Sequence, residues 1–196
     1  MRKWALALAA SLGLAFPAET MAETLPTMRG VDHVGVTVLD SKAAIAFFET
    51  VLGCKAYVKF GPFRDDKGPF MQNLLEVHPR SVINQITLVR CGNGSNVELL
   101  EYRAPDQKTE RPKNSDLGGH HIAFYVDDIA KAVAYLKANK VKTFFGPLTV
   151  KEGPAAGQTI IYFKAPWGLQ MELISYPKGM AYEKTANGKL WSPRDQ

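Results

Sequence analysis

Apolar residues along this chain fall into two rounds of one rhythm. In the first round Val34, Val36 and Val38 alternate with His33, Gly35 and Thr37, the period of two that marks a strand, predicted over Met28–Val38. Asp40 or Ser41 then caps a predicted helix to about Leu52, with Ile45, Phe48, Val51 and Leu52 at three- and four-residue spacing and Gly53 closing it. Strands are predicted over Cys54–Phe60, Val82–Arg90 and Asn96–Arg103, with Gly92-Asn93-Gly94 as the turn before the last. Gly61–Pro79, carrying Pro62, Gly68, Pro69 and Pro79, reads as an irregular insertion.

The second round starts after a polar stretch, Ala104–Leu117, that reads as a linker. His120–Val126 is predicted as a strand and Asp128–Asn139 as a helix with Ile129, Val133 and Leu136 on one face. A short strand over Lys142–Phe145, a loop over Gly146–Gly157 and a strand over Gln158–Lys164 follow. After the turn Pro166-Trp167-Gly168 comes a last strand, Leu169–Tyr176. Lys178–Gln196 is a polar tail without a clear period. Both rounds thus run strand, helix, strand, strand, strand, and NVELLEY near the end of the first matches QMELISY near the end of the second.

Each round places a histidine on its first strand and a glutamate on its last. His33 faces away from the valine row; Glu98 faces away from Val97 and Leu99, and Glu172 away from Met171 and Leu173. With the apolar rows under the helices, His33, Glu98, His121 and Glu172 all point to the opposite face. A carboxylate within an apolar strand is costly unless it is paired or bound to a cation. Two imidazoles and two carboxylates on one face are therefore candidate ligands of a divalent metal. His120 has the opposite parity and is expected to cap or pack behind the sheet, and His78 lies in the insertion. Tyr102, Tyr125 and Tyr176 share the ligand parity and are candidates to line a pocket. Arg64, Asp65, Asp66 and Lys67 form a charge cluster in the insertion, a solvated loop or a lid.

The βαβββ repeat, with His in DHVGVTV and HHIAFYVDD and Glu in VELLEY and MELISY, resembles the vicinal oxygen chelate superfamily of glyoxalases, methylmalonyl-CoA epimerases, extradiol dioxygenases and bleomycin-type resistance proteins. The resemblance implies an α+β fold of two tandem βαβββ modules forming a half-barrel cleft. One domain is then expected over 29–177, with module 1 at 29–103, a linker at 104–117, module 2 at 118–177 and a C-terminal tail at 178–196. It implies His33, Glu98, His121 and Glu172 as metal ligands, with the ion Ni, Zn, Mn, Co or Fe. The implied activity is that of a metal-dependent lyase or isomerase of glyoxalase type on a small substrate with vicinal oxygens. Such a reaction passes through a metal-stabilised enediolate with Glu172, or else Glu98, as base. Two alternatives stay open. An extradiol-type dioxygenase would bind iron through His33, His121 and Glu172, leaving Glu98 as an unexpected fourth acid. A non-catalytic resistance-type protein would sequester a ligand in the same cleft, although such proteins typically lack the full ligand set. Antiparallel second and third strands in such a module place Cys54 near Cys91, leaving a disulfide or two free thiols.

Composition changes the setting more than the chemistry. The chain has 196 residues, 46% hydrophobic and 22% charged, ordinary for a globular protein, with net charge +5 and no basic stripe, so nucleic acid is not an expected partner. Arg2 and Lys3, the apolar run Trp4–Ala15 and the small residues of Thr20-Met21-Ala22 are laid out as a secretory signal peptide over 1–22. The expected location is therefore exported, periplasmic, with no membrane attachment after cleavage; a small-molecule substrate is the expected partner, and a homodimer is left open. Export also argues against two substrate classes of the family, glutathione hemithioacetals and CoA thioesters, which belong mainly to the cytoplasm.

Overall fold

Ladders of two parallel and four antiparallel strand pairs build two separate four-stranded sheets, one from each half of the chain. The structure, a computed structural model, describes residues 25–196. The predicted signal peptide lies outside the described residues. The first half contains β1 (His33–Val38), α1 (Ser41–Thr50), β2 (Lys55–Phe60), α2 (Phe70–Leu75), β3 (Val82–Arg90) and β4 (Asn96–Arg103). The second contains β5 (His121–Tyr125), α3 (Ile129–Ala138), β6 (Leu148–Thr149), β7 (Thr159–Lys164) and β8 (Gln170–Ser175). The strand orders, β1-β4-β3-β2 and β5-β8-β7-β6, are the same, so the fold is α+β, of two βαβββ-like modules whose sheets are open rather than closed. No helix among the described residues is long and apolar enough to cross a membrane.

The helices start where side-chain acceptors meet their free N–H groups. Asp40 accepts from the Ala43 amide at 2.9 Å, and Asp128 accepts from Lys131 at 3.0 Å. Glu101 of β4 adds a second cap to α1, accepting from the Ser41 amide at 2.9 Å. That bond, with smaller help from Asn84 and Arg103, holds the Glu101 carboxyl below its ordinary range. Ala44, Ile45, Phe47 and Phe48 of α1 are buried against Val36, Val38, Val97 and Leu99. The same core continues into the second module through Leu136, Phe163, Met171 and Leu173. Phe48 stacks on Trp167 at 5.9 Å, and the Tyr135 hydroxyl of α3 donates to the Thr50 carbonyl of α1. Residue-by-residue parity puts His33, Gly35, Glu98 and Leu100 on the face opposite this core in the first sheet. His121, Ala123, Glu172 and Ile174 occupy the same face of the second.

Four sequence expectations are corrected. The first strand begins at His33 rather than Met28. The strand expected over Lys142–Phe145 is reduced to a single bridge, Thr143 to Phe163, and the pairing strand is β6, inside the expected loop. Gly146, at a φ of +126°, turns the chain between the two. The irregular insertion contains α2, whose Met71 is fully buried against Ile83 and Ile86. A helix of six residues is too short to show a period. The tail folds into 3-10 turns at Ala181–Lys184 and Pro193–Asp195. Cys54 and Cys91 are joined in a disulfide with Cα atoms 4.4 Å apart, the pairing that antiparallel β2 and β3 allow.

Candidate metal centre

Register explains how each glutamate meets its histidine. β1 runs parallel to β4 with Gly35 opposite Glu98, and β5 runs parallel to β8 with Ala123 opposite Glu172. The histidine two residues earlier on the same face then lies diagonally beside the carboxylate. His33 Nε2 is 3.5 Å from Glu98 Oε2, and His121 Nε2 is 3.0 Å from Glu172 Oε2. The small residues Gly35 and Ala123 leave the space in front of each carboxylate clear. A Cβ on Gly35 would stand 3.7 Å from Glu98 Oε2 and 3.4 Å from Leu100.

The far nitrogen of each ring is held as well. His33 Nδ1 lies 2.7 Å from Asp32 Oδ1; the carboxylate only accepts, so Nδ1 carries the proton. In the neutral ring Nε2 then presents a lone pair to Glu98, two acceptors facing one another, which a proton or a cation between them relieves. The Asp32 bond raises the His33 pKa, with Glu98 adding to it and burial opposing. His121 Nδ1 lies 3.3 Å from Asn114 Nδ2. An amide that donates there leaves the proton on Nε2, pointing at Glu172; a half-turn of the amide reverses the roles and frees Nε2 for a metal.

These donors fit a divalent ion. Neutral imidazole and carboxylate at metal bonds near 2.1 Å would sit roughly 3 Å apart as neighbouring ligands. Both observed pairs match that span. The tethered Nδ1 atoms are the outer-shell partners that metal-bound histidines ordinarily have. Among the described residues, however, no group of three or more His, Cys, Asp or Glu side chains is arranged to hold a metal ion. The four expected ligands therefore form two half-sites, His33 with Glu98 and His121 with Glu172.

The surroundings of the two pairs differ. Tyr162 of β7 is the ladder partner of Glu172, and its ring meets His121 edge-on at 5.3 Å. Burial first, then the Glu172 carboxylate, raises the Tyr162 hydroxyl. The corresponding partner of Glu98 is Leu88. Glu172 is buried, whereas Glu98 is half-buried. Sequence reasoning missed Asp32, Asn114 and Tyr162. Strand parity carried a signal for Tyr162, and adjacency for Asp32; Asn114 reaches His121 through a loop whose course no periodicity encodes. His120 is exposed and donates through Nδ1 to the Gly118 carbonyl, as a cap. His78 accepts from the Arg80 amide and stays within the insertion. There Asp65 accepts from the amides of Lys67, Gly68 and Phe70, which lowers its pKa and orders the loop that carries α2. Met71 of that helix packs beside Leu100 and Tyr102, on the ligand side of the first sheet.

Known proteins place this arrangement. The family model described as Glyoxalase/Bleomycin resistance protein/Dioxygenase superfamily matches residues 32–163. A 2-epi-5-epi-valiolone epimerase from an Actinomyces species is 39% identical over 170 residues, covering 86% of this chain and 91% of that protein. In three dimensions, a glyoxalase family protein from Bacillus cereus aligns with a TM-score of 0.57 at 19% identity, over 79% of this chain and 96% of that one. The trypanothione-dependent glyoxalase I of Leishmania major aligns with a TM-score of 0.52 at 17% identity, over 80% and 92%. At such identities the two structures share the fold alone. By its sequence match, its repeated βαβββ-like modules and its topology, the chain belongs to the glyoxalase/bleomycin resistance protein/dioxygenase superfamily.

Proposed function

We propose that this protein is a divalent-metal-dependent isomerase of the glyoxalase and epimerase type. It moves a proton at a carbon next to a carbonyl in a small substrate with two adjacent oxygens. The observation that carries the reading is the repeated pair of a histidine tethered at Nδ1 with Nε2 facing a strand glutamate, at 3.5 Å and 3.0 Å. The epimerase relative supports isomerisation over other chemistry of the superfamily, and 2-epi-5-epi-valiolone is the first substrate to test. Glu98 beside His33 supplies a fourth donor that a two-His-one-carboxylate iron site does not use.

His33, Glu98, His121 and Glu172 would hold the ion, which supplies a positive charge for oxygens on which negative charge develops. Glu172 takes the proton from the substrate carbon; the C–H electron pair moves toward the carbonyl carbon and the carbonyl oxygen gains the charge. A second proton, delivered to the same carbon from the other face, inverts it while Glu172 keeps the first; the group that would give it is a protonated Glu98 from the other half-site, brought opposite by the pairing of two copies. Tyr162 lies against Glu172 and His121 and keeps water from that side of the base.

The full shell forms when two copies meet around a twofold axis. His33 and Glu98 of one copy then face the partner's His121 and Glu172, and the same contact occurs twice. Export is part of the proposal. It rests on the signal-like layout of 1–22 and on the Cys54–Cys91 disulfide, a bond that persists in oxidising compartments.

Solvent exchange tests the reading. Protein reconstituted with Ni, Zn, Mn, Co or Fe(II) should introduce deuterium from heavy water at the carbon beside the carbonyl of an α-hydroxy ketone. Glu172→Gln should lower that rate by about 10²–10⁴-fold while metal stays bound. Equal exchange with and without metal, or an unchanged rate in Glu172→Gln, would sink it.

A further inference from the structure

The row of residues level with the two histidines carries a cation in each module. On β5, β8 and β7 the ladders set His121, Gln170 and Lys164 side by side. On β1 and β4 they set His33 beside Asn96, and β3 reaches the same level at Arg90, one residue past the pairing of Val89 with Val97. Residues opposite one another share a face, so Lys164 and Arg90 stand on the ligand side of their sheets. The burial of their neighbours agrees: Phe163 and Val89 lie in the core, whereas Lys164 and Arg90 are exposed. Module 1 adds a second cation, since β2 places Lys55 directly opposite Arg90.

Two like charges directly opposite each other on a ladder repel. Here the chain holds them together. Cys54 precedes Lys55, Cys91 follows Arg90, and their disulfide joins the next rung with Cα atoms 4.4 Å apart. Among the described residues no carboxylate forms an ion pair with Lys55, Arg90 or Lys164. Their contacts leave the charge open. Lys55 Nζ lies over the Tyr57 ring at 5.1 Å, and Lys164 Nζ over the Phe144 ring at 6.0 Å. Arg90 donates through Nε to the Gly92 carbonyl at 2.9 Å, so its Nη groups remain for a ligand.

These cations border the candidate metal centre. Leu88 is the ladder partner of Glu98, so Arg90 is the diagonal neighbour of that glutamate, about 7–8 Å away at Cα and within reach of a long side chain. Lys164 stands in the same diagonal relation to Glu172, two residues beyond Tyr162. A divalent ion would cancel the charge of the two glutamates and leave the neighbouring cations unanswered. The net charge of the chain, +5, also favours the approach of an anion. The space between Lys55 and Arg90 lies one and a half strand spacings, roughly 7 Å, to the side of β4. A short spacer therefore joins a ligand oxygen at the ion to an anionic group at the two cations.

We propose that Lys55 and Arg90, held side by side by the Cys54–Cys91 disulfide, form an anion-binding subsite, and that the substrate carries a carboxylate or phosphate group a short spacer away from its two adjacent oxygens. The inference rests on the proton-transfer reading of the site and names the charge of the substrate for it. Lys55 and Arg90 are specificity-determining residues in this scheme; they touch the anionic end, not the reacting carbon.

Two measurements on the full chain separate the subsite from the chemistry. The first is calorimetric titration with inorganic phosphate before any metal is added. Saturable binding is expected, weakened about tenfold or more in Arg90→Gln and in Lys55→Gln. No saturable binding in the wild type, or binding unchanged in both variants, overturns the subsite. The second is deuterium exchange by the metal-loaded protein into hydroxymethyl propyl ketone and into its counterparts whose propyl chain ends in a carboxylate or in a phosphonate. The wild type should favour a charged ketone by about tenfold in kcat/KM, and the larger of the two preferences tells a carboxylate substrate from a phosphate. That preference should collapse when Lys55→Gln and Arg90→Gln are combined, and shrink as salt is raised. Equal kcat/KM for charged and neutral ketones, or a preference that the double variant keeps, overturns the inference. Phosphate binding that both variants weaken, without exchange into any ketone, retains the subsite and overturns the proton-transfer reading instead.

Discussion

At the scale of single residues, the tethers behind the two histidines would set how well the proposed half-sites hold a cation. Asp32 fixes the tautomer of His33 and directs Nε2 toward Glu98. Asp32→Asn keeps the shape and removes the charge, and it should weaken metal binding about 10–100-fold in a competitive chelator titration. An unchanged affinity would mean that His33 is oriented by packing alone. The four candidate ligands could be singled out because two rounds of alternation put the same residue types on the same side. Asp32 and Asn114 were not, because hydrogen bonding to a ring nitrogen leaves no periodic trace. The exposed His120 shows the value of parity: its neighbour His121 has the ligand parity, while His120 bonds the backbone of its own turn.

At the scale of elements, two segments placed outside the repeat turn out to shape the ligand sides of the sheets. α2 buries Met71 beside Leu100 and Tyr102, and the C-terminal segment spans Ala123 and Ile174. Neither could be read from a period, since a six-residue helix and two 3-10 turns are too short to have one. Long, regular elements were legible: β3 and β4 lie where alternation predicted them, and the long helices are capped by Asp40, one of the two residues expected there, and by Asp128. The disulfide joining Cys54 to Cys91 closes a loop with a sequence separation of 37. By loop entropy it stabilises the fold by about 4 kcal/mol, so Cys54→Ser with Cys91→Ser should lower the urea midpoint by a corresponding amount. A midpoint unchanged by that substitution would contradict the estimate.

The C-terminal segment carries its own pH dependence. Arg194 and the Met180 amide hold Glu183 down at about 2, against an ordinary value of 4.5. Because the folded value is depressed, the contribution of this group is complete above pH 4.5 and is lost as pH falls from there toward 2. Trp191 fluorescence should therefore change over that acid window in the wild type. Glu183→Gln should abolish the transition and leave the segment equally loose at neutral pH. A transition of the same size in both proteins would assign it to other carboxylates.

At the scale of the whole molecule, the repeat places two half-sites in one chain without joining them into one shell among the described residues. A βαβββ unit that carries one imidazole and one carboxylate, occurring twice, gives two like pairs, and the proposed twofold dimer would serve both at once. The sequence revealed the pairs, while their separation became visible only in three dimensions, because it depends on how the modules pack through Phe47, Phe48 and Trp167.

Complementation tests this account most directly. One variant carries His33→Ala with Glu98→Ala, the other His121→Ala with Glu172→Ala, and each alone should be inactive in deuterium exchange. Mixed, dissociated and reassembled in the presence of metal, half of the dimers are hybrids, and each hybrid holds one intact four-residue site and one empty of all four. The mixture should recover about a quarter of wild-type activity. A mixture that stays inactive, from variants that fold and dimerise, would contradict a site shared between two copies.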